Sequence, residues 1–282
     1  MILRAAALQM SSSTDVGANV ESALALVRRA LEAGATYVQT PEYFNYLGSP
    51  AGLAAVAEPV PGATTELFGA LAREAGATIH LGSMAERASS GKFHNTSVVI
   101  GPDGRVRATY RKIHLFDVAV SGAVTSRESD AVVAGEEMVL ASVDGATVGL
   151  SVCFDVRFGD LYRRLARAGA QVLAVPAAFA AATGRAHWHV LVRARAIENH
   201  AFVVAAAQAG SGGPFETYGH SLIVNPWGEV LAEGPGEGEA LLVADLDLAE
   251  VTRRREEIAV LALARPDVYA TDVVLDTHHD PR

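Results

Sequence analysis

Three polar residues follow apolar runs of the sequence, and their types together could carry out nucleophilic catalysis. Glu42 follows ATYVQTP, Lys112 follows VRATYR, and Cys153 follows TVGLSV. A thiol that attacks an amide carbon needs a proton carrier and a cation that stabilises the oxyanion. Glu42 could carry protons to departing ammonia and from attacking water, while Lys112 could offset the oxyanion charge and favour the thiolate. These residue types predict amide hydrolysis through a thioester.

Each of the three residues also has an ordinary structural explanation. Cysteine is among the most frequently buried residue types, and Cys153 is the only cysteine of the chain. A glutamate or lysine that follows a strand is commonly a solvated loop residue. Because Glu42, Lys112 and Cys153 lie far apart along the chain, their spacing alone leaves both explanations open.

Elements that could bring these residues together recur along the chain. Apolar residues spaced three to four positions apart predict helices, and short apolar runs bounded by glycine or proline predict strands. The predicted helices are at 19–33, 65–75, 158–168, 185–200 and 248–258. The predicted strands are at 2–9, 35–40, 77–82, 95–100, 106–112, 138–142, 147–152, 171–175, 202–207, 219–224 and 241–244.

Turns between these strands indicate how the sheets are built. Glycine-containing turns at 101–104 and 144–145 predict two hairpins. Hairpins mixed with crossover helices indicate mixed sheets rather than one parallel sheet. Strand–helix–strand units occur in both halves, which suggests two sheets related by pseudo-symmetry. In open α/β layers, chemistry lies beyond the carboxyl ends of strands, where all three polar residues stand.

The composition restricts the partner and the compartment that we expect. A formal net charge of -9 and a pI near 5.5 repel nucleic acid and anionic membrane surfaces. One cysteine cannot form an internal disulfide, and the N-terminal stretch is a poor signal peptide. No run approaches the roughly 18 apolar residues of a transmembrane helix. We expect a soluble cytoplasmic protein that acts on a small molecule, without nucleic-acid or membrane partners.

The wording around the three polar residues resembles a known family. TPEYF, YRKIHLFD and LSVCFDVRF resemble, in order, the three motifs of the nitrilase superfamily of carbon–nitrogen hydrolases. The resemblance places Glu42, Lys112 and Cys153 in that superfamily's catalytic triad. It implies a four-layer αββα sandwich with two mixed β-sheets, a homodimer or higher homo-oligomer, and no metal or organic cofactor. We expect a single hydrolase domain over 1–270 and a C-terminal tail over 271–282.

The same resemblance implies roles for residues around the triad. Glu128 would fix Lys112 and keep it charged, and the backbone N–H of Phe154 would be the second donor to the oxyanion. Arg157 would hold a substrate carboxylate through a planar, bidentate contact. Further pocket-wall positions carried over from the family are Tyr46, Phe179 and Thr183.

Ordinary explanations stand beside these roles. Glu128 could be a loop carboxylate, and Arg157 could form a structural salt bridge with Asp155 or Asp160. The wall positions could be ordinary packing residues. Trp188 and Trp227 are expected to be core or interface anchors rather than substrate platforms.

Within the superfamily, the sequence is most similar to the omega-amidases and the deaminated-glutathione amidases. RKIHLFDV and ESD favour the first group, and TYGHS favours the second. The leading hypothesis is a cysteine amidase acting on a small omega-amide such as α-ketoglutaramate. Deaminated-glutathione amidase, N-carbamoyl amidohydrolase and nitrilase activities remain alternatives. A catalytically silent binding protein on the same fold is the non-enzymatic alternative.

Histidine spacing gives no metal motif. His187 and His189 are two positions apart on a predicted helix, so their side chains point in different directions and do not chelate one ion. His278 and His279 lie in the predicted tail. We therefore expect no metal site.

Overall fold

The computed structural model of the protein describes residues 1–88, 90–122 and 124–270. In chain order its strands are β1 (Ile2–Gln9), β2 (Tyr37–Gln39), β3 (Thr78–Arg87), β4 (Phe93–Ile100), β5 (Val106–Arg111), β6 (Asp117–Val120), β7 (Val124–Arg127), β8 (Leu140–Val143), β9 (Ala146–Leu150), β10 (Val172–Ala174), β11 (Phe202–Ala205), β12 (Ala209–Gly210), β13 (Thr217–Tyr218), β14 (Leu222–Val224), β15 (Val230–Glu233) and β16 (Ala240–Asp247). The helices are α1 (Val16–Glu32), α2 (Pro50–Val56), α3 (Ala63–Ala75), α4 (Gly159–Arg167), α5 (Ala181–Asn199), α6 (Leu248–Glu257) and α7 (Pro266–Tyr269). The predicted tail, 271–282, lies outside the described residues.

Two six-stranded sheets share one pairing order. The first sheet runs β16-β1-β2-β3-β4-β5, and the second runs β8-β9-β10-β11-β14-β15. In each sheet the second, third and fourth strands pair in parallel, and the remaining neighbours pair antiparallel. This repetition confirms the mixed sheets and agrees with the expected pseudo-symmetry.

Strand β1 shows how the layers form. Its residues alternate between two faces, as the period of a strand requires. Leu3 and Ala5 pack into the core shared with the second sheet, whereas Ala6 and Leu8 pack into a separate core that includes residues of α1. Helices α1 and α3 thus cover the outer face of the first sheet, and α4 and α5 cover that of the second. The predicted αββα sandwich is confirmed.

Helix α5 contains a glycine near its start and begins earlier than the sequence predicts. The prediction started the helix at 185, directly after Gly184, and glycine is disfavoured in helix interiors. In the structure Gly184 lies inside α5, and a Cβ at this position would stand 2.4 Å from Cγ of Tyr218. The glycine therefore lets β13 approach the helix closely. This contact fixes the first turns of α5, which carry Thr183.

Several elements escaped the prediction. They are α2, the outlying hairpin β6–β7, the short pair β12–β13, the edge strand β15 and the terminal α7. None of the described helices is long and apolar enough to span a bilayer. The other predicted helices and strands are confirmed, with ends shifted by a few residues.

Candidate active site

A cavity of about 530 Å³ opens where the C-terminal ends of β2, β5 and β9 meet. Glu42, Lys112 and Cys153 follow these three strands, and all three line the cavity. Its outer walls come from the segment 47–53, the hairpin strand β7 and the pair Pro214–Phe215. The structure therefore brings together the three residues that the sequence singled out.

Cys153 lies at a sharp bend between β9 and the 3₁₀-helix Cys153–Arg157. Its φ of 48° is in the left-handed region, which a non-glycine residue adopts only at a local cost in free energy. Two hydrogen bonds hold the bend. The N–H of Cys153 donates to the carbonyl of Pro176 at 2.8 Å, and the N–H of Val152 donates to Asp155 Oδ2 at 2.8 Å.

Asp155 connects this bend to the segment that follows Lys112. Its buried carboxylate accepts hydrogen bonds from Tyr110 Oη at 2.7 Å and from the backbone N–H of His114 at 3.1 Å. The Nδ1 of His114 lies 2.7 Å from the same carboxylate. Sequence analysis did not assign Asp155 this role, because its partners lie on another sheet.

Glu42 is held on both carboxylate oxygens. Its Oε1 lies 3.0 Å from Lys112 Nζ and accepts a hydrogen bond from Asn95 Nδ2 at 2.9 Å. Its Oε2 accepts the backbone N–H of Ala178 at 2.8 Å. The side chain is 3% exposed, so these donors replace the water that the carboxylate has lost.

Asn95 is a site residue that the sequence analysis missed. Its Nδ2 also donates to Glu128 Oε1 at 3.2 Å, so one amide bridges two carboxylates. A signal for it was available: the predicted hairpin around 101–104 places Asn95 across from Lys112, and the N–H of Lys112 donates to the Asn95 carbonyl at 2.9 Å.

Glu128 lies beside Lys112, as the resemblance implies. Lys112 Nζ is 2.9 Å from Glu128 Oε2, and that oxygen also accepts the backbone N–H of Phe116 at 2.6 Å. Burial alone would lower the pKa of Lys112, but the charges of Glu128 and Glu42 outweigh it and hold the pKa well above its usual value. The lysine is therefore a permanent cation in the cavity.

The pKa of the Cys153 thiol is raised, although Lys112 favours the thiolate as the sequence predicts. Burial raises its pKa, and the negative charge of Glu42 raises it further. The charge of Lys112 acts in the opposite direction without cancelling these effects, so the pKa stays well above its usual value. A neutral thiol beside a carboxylate needs that carboxylate to remove its proton when it attacks.

Arg157 lines the cavity as a half-buried cation. Its Cζ lies 5.0 Å from the ring centroid of Phe179 and 5.7 Å from that of Phe154. Nη2 donates to Thr183 Oγ1 at 3.4 Å, and Nη1 lies 3.2 Å from His187 Nδ1. Within the described part of the chain Arg157 has no carboxylate partner. Burial lowers its pKa, in line with a guanidinium that lacks a counter-ion.

The salt-bridge alternative for Arg157 is therefore not what the structure contains. Asp155 accepts its hydrogen bonds from other groups, and no ion pair joins Arg157 to Asp160 among the described residues. Arg157 instead faces the open cavity.

The remaining predicted positions fall in two layers. Phe179, Thr183 and Phe154 line the cavity directly. The N–H of Phe154 belongs to the first turn of the 3₁₀-helix, where leading N–H groups have no acceptor inside the turn. Tyr46 lies one layer behind the wall: it is buried, and its ring and hydroxyl pack where a Cβ of Gly52 would stand.

Glu42, Lys112 and Glu128 are engaged with one another in the cavity, and a metal-compatible group lies elsewhere. Among the described residues, His189, His220 and Glu233 place three possible ligand atoms within 4.8 Å of one another. The spacing of His189 from His187 gave no sign of this group, because its other two members lie more than 30 residues further along the chain.

The cavity therefore contains the parts that covalent hydrolysis of an amide requires. It contains the Cys153 thiol on a strained bend and the Glu42 carboxylate. It also contains the Lys112 ammonium, which is paired with both Glu42 and Glu128. An additional guanidinium lies at the wall, facing the same space.

Comparisons with known proteins agree with this geometry. Residues 4–256 match the carbon–nitrogen hydrolase family. The chain is 39% identical over 274 residues to the human omega-amidase NIT2, covering 96% of this chain and 98% of that protein. It is also 39% identical over 274 residues to the bovine deaminated glutathione amidase, covering 94% of this chain and 82% of that protein.

A solved structure extends the similarity to the fold. The crystal structure of the C. elegans NitFhit protein superposes with a TM-score of 0.88 at 36% sequence identity. The alignment covers 98% of this chain and 69% of that one.

Proposed function

The chain belongs to the carbon–nitrogen hydrolase family and is a cysteine-dependent amidase, and we propose that its substrate is a small omega-amide of a dicarboxylic acid. The observation that carries this proposal is Arg157, a half-buried cation that has no carboxylate partner among residues 1–88, 90–122 and 124–270 and lies at the wall of the cavity that holds Cys153. An α-ketoglutaramate-like molecule would place its amide at the thiol and its free carboxylate on the guanidinium.

In the proposed first half-reaction, Cys153 attacks the amide carbon. Glu42 takes the thiol proton as the S–C bond forms, because the neutral thiol is otherwise a poor nucleophile. Lys112 and the N–H of Phe154 stabilise the negative oxygen of the tetrahedral intermediate. Glu42 then gives its proton to the nitrogen as the C–N bond breaks, which releases ammonia and leaves a thioester.

In the second half-reaction, water takes the place of ammonia. Glu42 removes a proton from water, whose oxygen attacks the thioester carbon. The C–S bond breaks and Glu42 returns the proton to the sulfur, which regenerates the enzyme and yields a carboxylic acid that ionises to the carboxylate by releasing its remaining proton to water. Glu128 acts as a positioning residue in both halves, since it keeps Lys112 charged and in place.

A second candidate is deaminated-glutathione amidase activity. The bovine enzyme of that name is as similar in sequence as the human omega-amidase, at 39% identity each. In both readings Arg157 holds a substrate carboxylate, so the two differ in how much of the cavity beyond Arg157 is filled. The segment 47–53 and the strand β7 line this outer part.

Ammonia release from a panel of amides tests the proposal. We expect the highest kcat/KM for α-ketoglutaramate and related monoamides, lower values for deaminated glutathione, and little turnover of amides without a second carboxylate. Cys153→Ala should release no ammonia while keeping the circular dichroism of the parent. A preference for uncharged amides would contradict the assignment of Arg157.

We further propose a cytoplasmic homodimer with a small-molecule substrate. Exposed apolar side chains on one part of the surface support a second copy as partner: Val190 and Ile197 of α5 are 66% and 45% exposed, and Trp227 is 46% exposed. The single cysteine, which is free and buried, fits a reducing compartment. Light scattering of the purified protein checks the mass, and fractionation of the source cells checks the compartment.

A further inference from the structure

We propose that His189, His220 and Glu233 form a binding site for one late first-row divalent metal ion, with Zn²⁺ and Ni²⁺ as the preferred ions. The site lies outside the amide-hydrolysing cavity, since none of its three residues lines that cavity. It does not depend on the proposed substrate.

The geometry converges on one carboxylate oxygen. His189 Nε2 lies 3.0 Å from Glu233 Oε1, and His220 Nδ1 lies 2.9 Å from the same atom. In a tetrahedral site with bonds of about 2.1 Å, ligand atoms are roughly 3.4 Å apart. Each histidine nitrogen is thus within a few tenths of an ångström of the required distance to Glu233 Oε1, and the two nitrogens lie within 4.8 Å of each other, so small side-chain movements would admit an ion and leave one or two positions for water.

The three donors come from separate elements that the fold brings together. His189 lies in α5, His220 just precedes β14, and Glu233 ends β15. Two imidazoles and one carboxylate suit Zn²⁺, Ni²⁺ or Co²⁺, whereas Mg²⁺ and Ca²⁺ prefer sets made of oxygen atoms. Without metal, both rings share Glu233 as a hydrogen-bond partner; with metal, each ring would bind through the nitrogen that now faces Glu233.

His220 is positioned more firmly than a surface histidine requires. It adopts φ 49°, a left-handed conformation that is uncommon for a non-glycine residue. Its carbonyl accepts the indole N–H of the buried Trp188 at 2.7 Å, and its N–H donates to the Pro235 carbonyl at 3.0 Å. The Tyr218 ring lies 4.5 Å from the imidazole. A strained residue held by its surroundings is a feature of functional positions.

The second ring is also oriented, and the site is open to solvent. His189 packs edge-on against both Tyr218 and His220, with centroid distances of 5.9 Å and 5.2 Å. The side chains of His189, His220 and Glu233 are 32%, 27% and 42% exposed, so an ion can enter without unfolding the chain. Ligand-orienting contacts of this kind raise metal affinity.

A bound ion would join helix α5 to β15. The same helix carries Thr183 near the cavity, and Trp188 packs on the cavity residue Phe179 at a centroid distance of 5.1 Å. Because an ion that binds only the folded state stabilises it by mass action, the thermal midpoint should rise with Zn²⁺ concentration.

The test is titration of the full chain with Co²⁺ and Zn²⁺. His278→Ala and His279→Ala are introduced first, so that the adjacent histidines of the tail do not bind metal. We expect one equivalent of Co²⁺ with the visible spectrum of nitrogen and oxygen ligands and no sulfur-to-metal band. Calorimetry with Zn²⁺ should give the same stoichiometry, and Mg²⁺ should give no heat.

Two variants and a matched control locate the site. His220→Asn and Glu233→Gln should each weaken Zn²⁺ binding at least about tenfold, because each removes a ligand. Glu237→Gln, an exposed glutamate four residues along the chain, should bind like the parent. Should one variant fail to fold, His189→Asn serves in its place.

Several results would overturn the proposal. They are Zn²⁺ binding that survives each ligand substitution, a sulfur-to-metal band that disappears in Cys153→Ser, or the absence of binding in the parent protein. An equal response to Mg²⁺ would also overturn it.

Discussion

The floor and the wall of the cavity are built in different ways. On the floor, Glu42 and Lys112 are 3% and 2% exposed, and their charged atoms contact each other, Asn95, Glu128 and a backbone N–H. On the wall, Arg157 is half-buried and contacts polar side chains at 3.2 Å and 3.4 Å. The floor is thus complete without substrate, whereas the cation on the wall has no carboxylate partner in the described part of the chain.

This difference follows from the free energy of burying charge. A fully buried carboxylate or ammonium is tolerated only when oppositely charged and hydrogen-bonding groups surround it. The reaction machinery is therefore inseparable from the core. A half-buried guanidinium keeps part of its hydration, so it is tolerated without a carboxylate partner until a substrate carboxylate binds. It can therefore determine which substrates the enzyme prefers. Substitutions on the floor should affect turnover, and substitutions on the wall should affect substrate affinity.

The largest effect is expected for Glu42→Gln. Glutamine cannot carry the proton in either half-reaction, so kcat/KM should fall by at least about 10³-fold. The measurement is kcat/KM from the rate of ammonia release with one amide substrate at a time. A thermal unfolding curve verifies that the variant is folded.

Glu86→Gln is the matched control for this change. Glu86 is also buried and paired with an arginine, Arg111, at 2.7 Å, but it does not line the cavity. The control should lower stability and leave kcat/KM essentially unchanged. Equal losses of turnover in both variants would mean that burial of charge, rather than proton transfer, explains the effect.

Arg157→Met should produce the next largest effect, confined to substrates with a second carboxylate. Losing a charge-assisted contact of about 1.5–3 kcal/mol should raise KM roughly 10- to 100-fold. The kcat for uncharged amides should change little, because the floor is intact. A similar loss for charged and uncharged amides would erase the distinction between floor and wall.

The electrostatics of the floor give a third, spectroscopic prediction. With ¹³C at Cβ of the only cysteine, NMR follows the ionisation of Cys153 directly. The signal should indicate a protonated thiol through neutral pH, because burial and Glu42 raise the pKa. Glu42→Gln removes the negative charge, so the pKa should move down. An upward or absent shift would contradict the assigned cause.

The same raised pKa fixes a sign for stability. The unfolded chain loses its thiol proton as pH rises through the ordinary pKa of cysteine, whereas the folded chain keeps it. The contribution of Cys153 to stability is thus constant below that pKa and declines above it. Cys153→Ala should remove this alkaline decline in urea-unfolding experiments.

How far the sequence could predict the site depends on how local each signal is. Glu42, Lys112 and Cys153 follow apolar runs, so their placement at strand ends could be predicted, whereas their proximity was implied by the motifs that resemble the family. The strand and helix periodicities predicted mixed sheets, whereas the αββα layers were implied by the family resemblance. The predicted start of α5 was late, and only the distant Tyr218 explains a glycine, Gly184, within this helix.

Features that depend on distant pairing were not predicted. Asp155 connects the cysteine bend to Tyr110 and His114, which lie about 40 residues earlier, in and just after β5. His189 meets Glu233 because α5 packs against β14, which pairs with β15. Such contacts are set by the crossing of whole elements, and no short motif records them.

The smallest effect is expected for Thr183→Val on the wall. Its bond to Arg157 is long, at 3.4 Å, and is worth no more than about 0.5 kcal/mol. KM for the dicarboxylic monoamide should rise no more than about threefold, with kcat unchanged. A rise as large as that of Arg157→Met would make Thr183 a direct substrate ligand.

Glu42 touches both halves of the sandwich at once. Its Oε1 accepts hydrogen bonds from Asn95 and Lys112, which belong to the first sheet and its edge. Its Oε2 accepts the N–H of Ala178, which follows strand β10 of the second sheet. A slippage of the sheets by less than one bond length would strip this carboxylate of a donor while leaving every strand intact. Catalytic activity is therefore more sensitive than circular dichroism to the relative position of the two sheets. During denaturation, activity should be lost before secondary structure.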